Sequence, residues 1–135
     1  MSQENVEAFK RGLEAGNRGD VETLLEVLDP EVAWQSALHA LLTGEATVYR
    51  GHDGVRRMFR DFREAFAEIQ IESFEVRDLG DLVITTGHMR ARGKASGVET
   101  ETPWAYVAEL KGGKGIRIRT YLDPADALEA AGLSE

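Results

Sequence analysis

The sequence predicts an α+β domain: a curved antiparallel sheet wrapped around three helices of the N-terminal half to form a cone-shaped α+β roll, with a short C-terminal helix. Helical apolar spacing dominates the first half of the chain, while strand alternation dominates residues 79–123. The two turns within that second stretch bring the alternating faces into one register.

The first element, Gln3 to Gly16, carries Val6, Phe9, Leu13 and Gly16 on one helical stripe. Asn17-Arg18-Gly19 breaks it. Asp20 then offers a cap to a second helix bearing Val21, Leu24, Leu25 and Leu28. Asp29-Pro30 is expected to end that helix, because a residue before proline is driven out of the α region. A short strand follows, with Val32, Trp34 and Ser36 alternating against Ala33 and Gln35, and Ala37 to Thr47 reads as a short helix plus loop. Gly51-His52-Asp53-Gly54 precedes the most periodic helix, whose stripe is Val55, Met58, Phe59, Phe62, Phe66 and Ile69. The next strand, Gln70 to Arg77, changes inward parity near Glu72-Ser73, from Ile69 and Ile71 to Phe74 and Val76. That change predicts a bulge.

A hairpin on Lys94-Ala95-Ser96-Gly97 sets Arg92 opposite Glu99 and Arg90 opposite Glu101, joining opposite charges on one face. The other face pairs Val83, Thr85, Gly87, Met89 and Ala91 with Ala108, Tyr106, Trp104, Thr102 and Thr100. Gly87 opposite Trp104 is expected to leave room for the indole. Treating Lys111 to Gly115 as a loop pairs Glu109 with Arg117 and sets Thr120 beside Tyr106, with Ile116, Ile118 and Leu122 facing inward. Asp123-Pro124 starts a final helix, cap then first-turn proline, and Gly132 stops it. With no linker or repeat, residues 1–135 read as a single domain.

Composition narrows the function. The chain lacks Cys, which excludes a disulfide scaffold, a cysteine nucleophile and a thiolate metal site. The net charge of -8 argues against general nucleic-acid binding. Arg56, Arg57, Arg60 and Arg63 read as a solvated helix face, with Asp53, Asp61 and Glu64 at four-residue offsets. The first residues show no basic start and no apolar block, and no run approaches the about 20 apolar residues of a membrane helix. A cytoplasmic protein that does not bind membranes is the expectation. Three scattered histidines do not make a metal site, and no phosphate-binding glycine loop is present, so no cofactor is expected.

Four segments carry a resemblance: Arg18-Gly19-Asp20-Val21, Leu28-Asp29-Pro30-Glu31-Val32-Ala33-Trp34, Tyr49-Arg50-Gly51-His52-Asp53-Gly54-Val55 and Tyr121-Leu122-Asp123. Together they resemble the SnoaL-like polyketide cyclase branch of the nuclear transport factor 2-like superfamily, which also holds the ketosteroid isomerases. The resemblance implies a conical fold, frequent dimers and a pocket between helices and sheet. It places the isomerase general base near Gln35, the helical Tyr near Gly12 and a second acidic oxyanion donor at Tyr106. The acting Asp of the cyclases and hydrolases falls at Thr120, and the hydrolase Arg and Asp fall near Gly87 and Met89. This chain thus has the scaffold without those carboxylates, and Tyr106 is the one oxyanion donor kept.

From the register, Thr85, Tyr106 and Thr120 meet on three neighbouring strands as a pocket floor. Trp34, Ser36, Met58, Phe62, Met89 and Trp104 are the candidates for its wall. Tyr106 reads either as a core residue or as a ligand contact, and His39 is the candidate acid or base. Three functions follow: binding of a small, mainly apolar molecule; isomerase, cyclase or hydrolase chemistry with Tyr106 stabilising an enolate and His39 moving the proton; or a partner-binding module. The outer sheet face carries Ile84, Thr86, Ala105, Val107 and Tyr121, and predicts a homodimer.

Overall fold

The computed structural model describes residues 2–44 and 47–132. Its helices are α1 (Ser2–Asn17), α2 (Val21–Leu25), α3 (Ala37–Thr43), α4 (Gly51–Ala65) and α5 (Pro124–Ala130). Its strands are β1 (Leu28–Gln35), β2 (Val48–Arg50), β3 (Phe66–Asp78), β4 (Leu82–Gly93), β5 (Glu99–Lys111) and β6 (Lys114–Tyr121). They form one curved sheet in the order β2-β1-β6-β5-β4-β3, with α1, α2 and α4 on its concave side. Position 45–46 of the expected loop and the inward side of Phe74 lie outside the described residues.

The β4–β5 hairpin has the expected register throughout, from Val83↔Ala108 to Arg92↔Glu99. The sheet is not wholly antiparallel, since β1 runs parallel to β6 with Trp34 beside Ile118. That pairing also corrects the second helix. Gly115 N donates to Val27 O at 2.8 Å, and Leu28 opens β1 instead of extending α2. A similar competition ends α4 at Ala65, where Lys94 N donates to Ala65 O at 3.0 Å and Phe66 pairs with Gly93. Phe66 and Ile69 are therefore strand residues, although their spacing fits a helix. Arg57, expected to bridge acids four residues away, lies over the Tyr49 ring at 5.5 Å, while Arg56 binds Asp53 and Glu22.

Two glycine regions behave differently from expectation. The β5–β6 connection is a two-residue turn at Gly112-Gly113, φ 58° and 77°, with a register shift between Glu109 and Leu110. The shift restores Tyr106↔Thr120, but Ile116 is 37% exposed instead of inward. The bulge in β3 falls between Ser73 and Glu75. It drives the β3 backbone against Gly87, where an added Cβ would lie 1.8 Å from Glu72 O. Gly87 is needed for that approach, not to make room for Trp104.

Asparagines fix α1 at both ends. Buried Asn5 donates from Nδ2 to Gly80 O and accepts from Gly113 N, tying down two hairpin turns. Asn17 donates to Ile71 O at 2.8 Å and accepts from Ile71 N at 2.9 Å, as a neighbouring strand would. On the convex side α5, capped by Asp123, lays Ala127 on Ala105 and Val107, all three at 0% exposure. The apolar part of the outer face that suggested a dimer is thus covered within the chain.

Candidate functional site

Between α1, α4 and the concave face lies a cavity of about 350 Å³. Trp34, Ser36, Met58, Phe62, Met89, Trp104, Tyr106 and Thr120 line it, as the sequence predicted. Phe9 and Gly16 of α1, Phe59 of α4, and Ala108 of β5 line it too. All but Ala108 stand on apolar helical stripes legible in the sequence; which stripe positions face a space and which face another side chain was not. The solvent-exposed lining residues are Arg18, Gly19, Arg63, Ala67 and Glu68. They place the mouth at the adjoining ends of α1, α4 and β3.

Tyr106 is the centre of the aromatic wall. Phe9, Trp104 and Trp34 meet its ring edge to face at centroid distances of 5.4, 6.2 and 6.4 Å. Burial pushes its phenol well above the ordinary tyrosine range, so it stays a protonated donor across all physiological pH. The Trp104 indole lies close enough to oppose that rise weakly, yet short of hydrogen-bond geometry. Trp104 Nε1 is buried with no partner among the described residues.

The other hydroxyls do different work. Thr120 Oγ1 accepts from Ala37 N at 2.8 Å and reaches Gln35 O at 3.4 Å, so it joins β6 to the start of α3. Ser36 caps α3 by accepting from His39 N at 3.2 Å. Thr85 pairs with Tyr106 in register but is not among the cavity's lining residues; it is 1% exposed, toward the sheet end that α1 closes. The three-hydroxyl floor is therefore not assembled: Tyr106 and Thr120 reach the cavity, and Thr85 does not.

His39 also stands apart. Its Nδ1 lies 2.7 Å from Tyr49 Oη, which donates to Asp61 Oδ2 at 3.2 Å. Tyr49 is 1% exposed, and burial together with Asp61 pushes its phenol up to about 12. This chain latches α3 onto α4 and does not face the cavity. The one carboxylate among the described lining residues is Glu68 at the mouth, 3.9 Å from Arg92.

An α+β roll with an apolar cavity between sheet and helices defines the class. Residues 9–118 match the family model for the SnoaL-like domain, and the chain belongs to that family. No curated protein matches it. Solved structures share its fold. An NTF2-like protein of unknown function from Burkholderia pseudomallei superposes with a TM-score of 0.81 at 21% identity, covering 93% of this chain and 95% of that one. TerC, co-crystallised with polyporic acid, gives 0.80 at 19% identity over 93% and 96%. A Jannaschia sp. CCS1 protein, assigned provisionally as a SnoaL-like polyketide cyclase, gives 0.74 at 17% over 98% and 91%.

Proposed function

We propose that this protein binds a small, mainly apolar molecule in the cone, oriented by the Tyr106 hydroxyl. The observation carrying this reading is a cavity of about 350 Å³ walled by aromatic and aliphatic side chains. A dry apolar cavity of about 150 Å³ suffices for benzene, so there is room for roughly two fused rings. TerC, with its similar fold, was crystallised with polyporic acid, which supports a ring-bearing ligand here. Both tryptophans line the cavity and report on it directly. Titration with 1-bromonaphthalene, a heavy-atom quencher, is expected to quench Trp34 and Trp104 saturably. Linear, collisional quenching overturns the reading.

A second reading, isomerase or cyclase chemistry at the same site, is favoured by one observation, the buried phenol of Tyr106 kept protonated as an oxyanion donor. Its base has to be Glu68 or a group on the ligand, because His39 does not reach the cavity. Turnover of an enolisable two-ring ketone, lost in both Tyr106→Phe and Glu68→Gln, tests it; proton exchange unaffected by both variants rejects it. Homodimerisation through the outer face would use its exposed part, including Arg90 and Glu101, and light scattering in solution decides it.

A further inference from the structure

We propose that Gly16 is the recess of a side-chain gate, into which the Phe59 ring moves to admit ligands wider than one ring. The inference rests on the binding reading above and names what limits access to that site.

The chain has fourteen glycines, and thirteen have a local reason to be glycine. Eight of them adopt positive φ. At Gly12, Gly54, Gly87, Gly93 and Gly115 an added Cβ would meet a neighbour at 3.1 Å or less. Gly16 alone has neither constraint: its φ is helical, and a Cβ there would find Phe59 Cζ at 3.6 Å, an ordinary contact. A glycine within a helix is destabilising relative to alanine, because it loses more backbone freedom on folding. Packing and conformation therefore both permit alanine, and helix propensity prefers it.

What glycine supplies at this position is space beside Phe59. Both residues line the cavity, within about one turn of the exposed mouth residues Arg18 and Arg63, and both are half-buried. The α1 side of the mouth cannot widen by helix motion. Asn17 is bonded to Ile71 through both its amide atoms, and Gln70 Nε2 donates to Asn17 O at 2.9 Å. With that rim fixed, the adjustable part is the Phe59 ring, and a methyl at position 16 would already touch it. The gate sets an upper width for flat, ring-bearing apolar molecules.

Stopped-flow tryptophan quenching by bromobenzene and by 1-bromonaphthalene tests this on the full chain, with Gly16→Ala and with Gly16→Ala combined with Phe59→Leu. Gly16→Ala is expected to raise Tm by roughly 3 °C. It should also slow association of the two-ring probe at least about tenfold, with the one-ring probe within roughly twofold. Phe59→Leu on that background should restore the two-ring rate. A Gly16→Ala variant that admits both probes at the parent rate overturns the gate and leaves the cavity reading standing. A double variant as slow as the single one also overturns it, because the obstruction then does not act through Phe59. If the parent protein shows no saturable quenching by either probe, the cavity reading itself falls and the gate with it.

Discussion

The two faces of the central strands are buried to the same degree and packed in opposite ways. On β5, Ala105 and Val107 point to the convex side while Trp104, Tyr106 and Ala108 point to the concave side, and none exceeds 7% exposure. The convex side meets α5 through alanines, and small side chains let a helix lie directly on a sheet. The concave side meets α1 and α4 through large rings held edge to face. Rings fixed in that way, on a surface that curves around the helices, leave space between them. Equal burial thus conceals a filled contact on one side and an unfilled cavity on the other.

The comparison is most sharply tested at Gly87, on the concave parity but pressed by β3. Gly87→Ala puts a Cβ 1.8 Å from a backbone oxygen, which cannot rotate away. Overpacking of this kind is expected to cost about 3 kcal/mol in urea unfolding. A loss under 1 kcal/mol there would mean the bulge is loosely held. A matched pair on β5 comes next. Ala105→Leu, beneath α5, should lose about 2 kcal/mol, whereas Ala108→Leu, facing the cavity, should lose less than about 1 kcal/mol. Ala108→Leu should also abolish quenching by 1-bromonaphthalene. Equal losses at the two alanines would erase the distinction between the faces.

Smaller effects concern the phenols. Tyr49 ionises near pH 12 in the fold and near 10 when unfolded, so the folded state holds its proton more tightly. That contribution is complete below pH 10 and is lost as pH rises toward 12, with Tyr106 acting in the same direction. Urea midpoints across pH 9 to 12 should therefore fall, and Tyr49→Phe should flatten the curve. Tyr106→Phe should change neutral-pH stability least, within about 0.5 kcal/mol, because its hydroxyl has no strong protein bond to lose. It should nevertheless weaken ligands bearing an oxygen acceptor more than hydrocarbons. A loss above 2 kcal/mol would make Tyr106 a core residue, not a ligand contact.

Particular residues show why some features were legible in the sequence. The β4–β5 register followed from one turn and strict alternation, because a slip of one residue would reverse every side chain. The Asp20 and Asp123 caps and the β3 bulge were equally local. Leu28, Phe66 and Ile69 were misread because their spacing fits a helix and only a distant strand claims their backbone. Trp34, Met58, Phe62, Met89 and Trp104 line the cavity, although their spacing fits plain core equally well. Thr85 and His39 do not line it, because inward parity or a place near the mouth differs from reaching the cavity.

The sequence by itself determined the α+β class, the β4–β5 registry and the inward parity of those two strands. These depend on turn chemistry and on two short periods acting over a few residues. Only the tertiary structure decided that β1 joins β6 in parallel, that α5 covers the convex face and that a cavity persists on the concave one. Those outcomes are set by competition among surfaces distant along the chain, where the volumes and curvature of facing side chains, and not their pattern, determine what meets.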